Sequence, residues 1–251
     1  MQSLLCSNLR QSRSSRFLRI CICLSRLNPG TVTDFELDDD GRFKFCFFSY
    51  GACIHGFFRS SIRPIIAIDG THLKGRFHGI LFMVACSDGN KQVYPLAFRI
   101  SHKENRESWT WFLRRVRKCF DCLTDCMFIS DQHKGIKKAM RIVYPDAPHG
   151  LCVFHLTMNL KNTFKREDVI GIFKRTYQIY RESEFNEEMS ELMRVHLNAY
   201  NDLMTIGPAR WSRAYSHVRR YFMMTSNIAE CINSCSDMHT VPYYCFDRVH
   251  T

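Results

Sequence analysis

Two short apolar runs in this chain end in the same way. Arg63-Pro64-Ile65-Ile66-Ala67-Ile68 rises from a proline and closes on Asp69-Gly70, and Met127-Phe128-Ile129-Ser130 closes on Asp131. Such runs are short, β-branched or aromatic, and bounded by turn signals, so each reads as a buried strand with a carboxylate at or near its end. Aspartate before glycine is also a common turn pair, which leaves Asp69 alone with two readings: a turn cap, or a group projecting from a rigid edge. The second run favours the latter, because both aspartates lead into basic residues. Lys74 and Arg76 follow the first; His133, Lys134, Lys137, Lys138 and Arg141 follow the second. Two carboxylates at the ends of two core strands, each in basic surroundings, point to a divalent metal site that works on phosphate.

Charge agrees with that chemistry. The chain has 251 residues, enough for one large domain or two small ones. Lys and Arg outnumber Asp and Glu by 35 to 24, a net charge of +11, and an excess of that size favours a polyanion, nucleic acid being the commonest. The basic residues near the aspartates are then DNA-binding candidates whose contacts would depend strongly on salt; the alternative is an ordinary solvated face. No apolar run approaches the roughly 20 residues needed to span a bilayer. The 13 cysteines are odd in number and irregularly spaced, and several sit inside apolar runs, which reads as buried, reduced thiols of an intracellular protein.

Residues 1–33 hold five arginines, six serines and no acid. That composition is shared by organelle transit peptides, but the apolar spacing from Phe17 to Leu27 runs into Asn28-Pro29-Gly30, a helix stop, and favours a basic helix after a short leader. Thr31 to Leu37 and Arg42 to Tyr50 alternate around Asp38-Asp39-Asp40-Gly41 and predict a β-hairpin with a solvated acidic turn. Strands are then predicted at Ile65–Ile68, Ile80–Cys86 and Val93–Ile100, with connections short enough for antiparallel neighbours. A helix over Glu107–Phe120 turns Trp109, Phe112, Leu113 and Val116 to one face. Met127–Ser130 is the fourth strand, Gly135–Tyr144 a helix, and Gly150–Phe154 a short fifth strand leading into a basic helix. Residues 165–222 are charged and rich in helix formers, as an all-α insertion would be.

Three antiparallel strands, then helix, strand, helix and strand, is the order of the ribonuclease-H-like fold: an α/β architecture with a mixed five-stranded sheet. The first and fourth strands are neighbours in that fold, so Asp69 and Asp131 would converge. The organisation expected is a leader (1–16), a helix and hairpin region (17–63), the core (64–156), a helical insertion (157–222) and a return segment (223–251).

Seven short motifs, in order, resemble plant Mutator-like element transposases. They are Asn28-Pro29-Gly30-Thr31, Ile68-Asp69-Gly70-Thr71-His72-Leu73-Lys74-Gly75, Pro95-Leu96-Ala97-Phe98, Glu107-Ser108-Trp109-Thr110-Trp111-Phe112, Ser130-Asp131-Gln132-His133-Lys134-Gly135-Ile136, Cys152-Val153-Phe154-His155 and Thr225-Ser226-Asn227-Ile228-Ala229-Glu230. The resemblance implies a DDE triad of Asp69, Asp131 and Glu230, with the helical insertion before the glutamate. On sequence physics alone Glu230 is one surface glutamate of a helix; should it lie elsewhere, Glu104 and Glu107 are the next third ligands to consider. Three carboxylates suit two Mg²⁺ or Mn²⁺ ions, hard cations that prefer oxygen. Cys152 and His155 supply only two of the four ligands a structural zinc needs, and His149 is poorly spaced as a third, so the pair is read as structural or DNA-positioning rather than zinc-binding.

The resemblance further implies transposon ends and target DNA as partners, a homo-oligomer when active, and a nuclear location, with an organelle as the alternative suggested by the N-terminal composition. Relatives carry a DNA-binding region before this domain and a zinc-binding SWIM finger after it, and neither pattern is visible in these residues. Two functions follow: a core that cuts and joins DNA, or a domesticated or truncated descendant that binds DNA without catalysis, as in the far-red-response transcription factors. A ribonuclease H would have no use for the long insertion.

Overall fold

The computed structural model describes residues 13–59, 62–73, 79–90, 93–216, 218, 224 and 225. Seven strands form one mixed sheet: β1 (Val32–Leu37), β2 (Phe43–Ser49), β3 (Ile65–Leu73), β4 (Gly79–Ser87), β5 (Val93–Ser101), β6 (Met127–Ser130) and β7 (His149–Leu151). Their order across the sheet is β1-β2-β5-β4-β3-β6-β7. The first five pair antiparallel, whereas β6 runs parallel to both β3 and β7.

Five strands were expected, and the hairpin adds two more. β2 explains why: Phe43-Lys44-Phe45-Cys46-Phe47-Phe48-Ser49 is apolar on both faces and almost wholly buried. A strand apolar on both faces must be covered on both and cannot stand in a two-stranded hairpin. It therefore joins the edge of β5, from Phe45 opposite Ser101 to Phe48 opposite Phe98. The acidic turn of the hairpin is solvated, as predicted. Asp38 Oδ1 accepts from the backbone N–H groups of Asp40 and Arg42, and Gly41 supplies the left-handed residue at φ 71°.

Helices cover the sheet on both sides. On one face lie α3 (Arg106–Cys119) and α4 (Lys134–Val143). The sequence predicts α3 closely from its apolar face, and the structure adds a reciprocal capping box of Asn105 and Ser108 at its start. Trp109, Phe112, Leu113 and Val116 are fully buried, with Trp109 edge-on to Phe82 at 4.4 Å between ring centroids. On the other face α1 (Arg13–Leu27) sets Cys21 and Leu24 against Phe43, Cys46, Met83 and Phe98, so the basic helix read from the sequence belongs to this domain. A short helix α2 (Gly51–Arg59), absent from the sequence reading, links the hairpin to the rest. None of the nine cysteines among the described residues is in a disulfide.

The predicted fifth strand is shorter than expected. β7 stops at Leu151, and Val153 and Phe154 belong to helix α5 (Val153–Phe164). The change occurs at Cys152, whose N–H makes the last bond to the sheet, at Ser130 O (2.7 Å), while its own carbonyl accepts the helical bond from Leu156. The helices α6 (Glu167–Thr176), α7 (Glu182–Val195) and α8 (Leu197–Ile206) follow, then a 3₁₀ turn, Pro208–Arg210. None of the described residues of 157–222 is in a strand. This region has its own core around Trp211, which is fully buried between Phe173 and Phe185 and donates its indole N–H to Leu203 O.

Candidate metal and nucleic-acid site

Strands β3 and β6 pair in parallel with Ile65 opposite Met127, Ile66 opposite Phe128 and Ala67 opposite Ile129. Asp69, within β3, and Asp131, one residue past the end of β6, follow two positions after Ala67 and Ile129, and strand alternation carried that far would put both on one side. That side is the one on which Ile65, Ile129 and Cys152 cluster; the alternate residues Ile66, Ile68 and Phe128 lie beneath α3 and α4. Asp69 is buried, at 7% exposure, and Asp131 is half-buried.

Asp69 is not at the end of its strand, contrary to the sequence reading. β3 continues to Leu73 because Gly70–Leu73 remain paired with Gly79–Phe82 of β4. On its other side the neighbour β6 has already ended at Ser130. A gap in the ladder thus opens beside Asp69, at the carboxyl end of two parallel strands, where open α/β sheets place their ligands.

Asp131 is held by its own turn. Its Oδ1 accepts from the His133 N–H at 2.9 Å, and Ser130 Oγ donates to its carbonyl at 2.8 Å. The same turn launches α4, so the carboxylate stands beside a helix N-terminus. Glu104 braces this corner from the opposite face. Its Oε1 accepts from Trp109 Nε1 at 3.0 Å, lies 3.5 Å from His133 Nδ1, and sits 3.3 Å from where a Cβ on Gly70 would be. One carboxylate therefore touches the neighbour of Asp69 and the turn of Asp131. Glu107 is elsewhere, in an ion pair with Lys44 of β2 at 2.8 Å.

Glu230, Lys74 and Arg76 lie outside the described residues. The last described part of the chain nevertheless comes back to the sheet: Met224 O accepts from Val153 N–H at 2.9 Å, one residue after Cys152 bonds to Ser130. His133 is half-buried, whereas Lys134, Lys137 and Lys138 are exposed on α4. Cys152 packs against Ile65 and Ile129, and the ring of His155 meets that of Phe154 at 5.7 Å. Among the described residues no three His, Cys, Asp or Glu side chains cluster in a way that would hold a metal. Asp69 and Asp131 offer carboxylate oxygens, the hard donors that Mg²⁺ and Mn²⁺ prefer. No described helix is long and apolar enough to cross a membrane.

Residues 65–159 match the MULE transposase domain. This span opens at the first residue of β3, closes within α5, and includes both aspartates. The chain is also similar to the transposase for insertion sequence element IS905 of Lactococcus lactis subsp. lactis, at 24% identity over 170 residues, 65% of this chain and 40% of that protein. The transposase for IS1201 of Lactobacillus helveticus is 27% identical over 133 residues, 53% of this chain and 32% of that one. The transposase for IS256 in transposon Tn4001 of Staphylococcus aureus is 28% identical over 127 residues, 45% and 32% of the two chains. The chain thus spans less than half the length of these relatives. What these matches share is a likeness to transposases.

Proposed function

We propose that this chain carries the catalytic core of a DDE transposase, built on a ribonuclease-H-like sheet, that cleaves and joins DNA by metal-dependent phosphoryl transfer. The observation that carries the reading is the parallel register of β3 and β6, Ala67 opposite Ile129, with Asp69 and Asp131 each two residues further along the chain. The MULE domain match over the same strands, and transposases as relatives, support it.

Asp69, Asp131 and Glu230 would hold the metal. When bound, a pair of divalent ions activates the attacking water or 3′-hydroxyl and stabilises the leaving oxygen. The protein's own contribution is to fix the ligands in place. β3 holds Asp69 within a ladder bonded on one side, and the turn to His133 aims Asp131. Glu230 lies six residues after Met224, whose carbonyl is bonded at Val153. Lys134 and Lys138 on α4 meet the DNA backbone there, with Lys74 and Arg76 on the segment after β3.

Nicking of supercoiled plasmid in Mn²⁺ tests the reading. The unaltered chain is expected to nick, and Asp69→Asn, Asp131→Asn and Glu230→Gln to lose activity by several orders of magnitude while still binding DNA. Binding without nicking by the unaltered chain would identify the non-catalytic alternative. Nicking undiminished in the Asp variants would place the chemistry elsewhere.

A further inference from the structure

A cavity of about 320 Å³ lies at the β7 edge of the sheet. Two segments far apart in sequence build it. Lys137, Arg141 and Tyr144 come from α4 and the residue after it, His149 opens β7, and Ile206 and Arg210 come from the end of α8 and the 3₁₀ turn. Three of the lining side chains are cations and, among the described residues, none is a carboxylate.

That charge pattern has a cost. Lys137 and Arg141 stand at i and i+4, where like charges repel on a helix. Arg210 is brought against them from the insertion and fixed there, its Nε donating to His149 O at 3.3 Å. Burial, and secondarily Arg141, holds the Arg210 guanidinium below its usual range. His149 is kept neutral by burial and by the positive potential of Arg210 and Lys137, its pKa pushed down to about 4. Apolar walls from Met140, Ala147 and Ile206 lower the local dielectric and strengthen attraction for an anion.

We propose that this cavity seats a backbone phosphate of bound DNA, flanking the carboxylate site. The inference rests on the reading of the chain as a DNA-cleaving core and adds where the strand is gripped. The geometry ties the two places together. His149 Nε2 is 2.9 Å from Ser130 Oγ, and that hydroxyl bonds to the carbonyl of Asp131. Lys134, at the start of α4, and Arg141 are seven residues apart, about 10 Å along a helix, so a strand passing Asp131 along α4 reaches the cavity within a few nucleotides. The helical insertion then does more than lengthen the chain: through Arg210 it completes a phosphate seat on the sheet domain.

Anisotropy of a labelled 30-base-pair duplex, titrated with the full chain at several salt concentrations without divalent metal, tests this. Lys137→Gln and Arg141→Gln alter exposed residues and leave folding intact, as a thermal melt checks; Arg210→Gln is the third variant, and Arg194→Gln, an exposed charge on α7, controls for net charge. Each cavity variant is expected to weaken binding about tenfold at 0.1 M salt and the triple variant to lower the salt slope by about one, the share of one phosphate. Binding by the cavity variants equal to that of Arg194→Gln would overturn the proposal and leave the DNA-cleaving reading standing. No binding by the unaltered chain would overturn both. Loss of stabilisation by inorganic phosphate, with DNA affinity unchanged, would assign the cavity to a small anion and also overturn it.

Discussion

Asp69 and Asp131 each come two residues past the last matched couple of β3 and β6, Ala67 and Ile129. A one-residue slip between β3 and β6 would send one carboxylate to the opposite face, beneath α3 and α4. The register is therefore part of the site. It is fixed by Pro64, whose carbonyl accepts the Met127 N–H at 2.9 Å, and by the burial of Ile65, Ile66, Phe128 and Ile129 on the two faces.

Glu104 is predicted to hold the two aspartate-bearing segments together. Glu104→Ala removes the acceptor from a largely buried Trp109 N–H and should cost about 1–3 kcal/mol in urea denaturation. Glu104→Gln keeps an acceptor there and should recover most of that loss. Equal destabilisation by Ala and Gln would mean that the contact with His133, rather than the bond to Trp109, is what matters.

Trp211 organises the helical region. Trp211→Ala should destabilise by about 3–5 kcal/mol, with Trp211→Phe milder because the ring contacts with Phe173 and Phe185 partly survive. If that region melts separately from the sheet, calorimetry will show the loss in one transition only.

The strands β3 and β6 were legible because strand chemistry is local, but Asp69 lies inside β3 rather than at its end, since the pairing of Gly70–Leu73 with β4 leaves no local signal. α3 was legible for the same reason, through its single apolar face. The seven-stranded sheet was not, since the hairpin looks self-contained until the phenylalanines on both faces of β2 are counted as needing cover. The end of β7 was misplaced because Val153 and Phe154 suit a strand as well as a helix; the bond from Val153 to Met224, 71 residues on, decides it. The basic cavity had no local signal at all. Arg210 reaches His149 across 61 residues, and only the packing of α8 and its following turn brings them together.

His149 should make stability depend on pH. Its folded pKa of about 4 lies below the ordinary 6.5, chiefly through burial, so between these values the unfolded chain binds a proton that the folded chain does not. Stability is then full above pH 6.5 and falls as pH drops toward 4, by about 3 kcal/mol across the window. His149→Gln, which can still bond to Ser130, should flatten that part of the profile in urea denaturation at pH 5 and 7.5. An unchanged slope would assign the acid sensitivity to other groups.

The central claim is that Asp69 and Asp131 share a divalent ion, and Mn²⁺ binding followed by electron paramagnetic resonance tests it without requiring any DNA substrate. The unaltered chain should remove free Mn²⁺ signal saturably. Asp69→Asn and Asp131→Asn should each weaken binding at least tenfold, and the double variant should bind no better than the weaker single one, as expected of two ligands to one site. Mn²⁺ bound equally by the unaltered chain and the double variant would contradict the account.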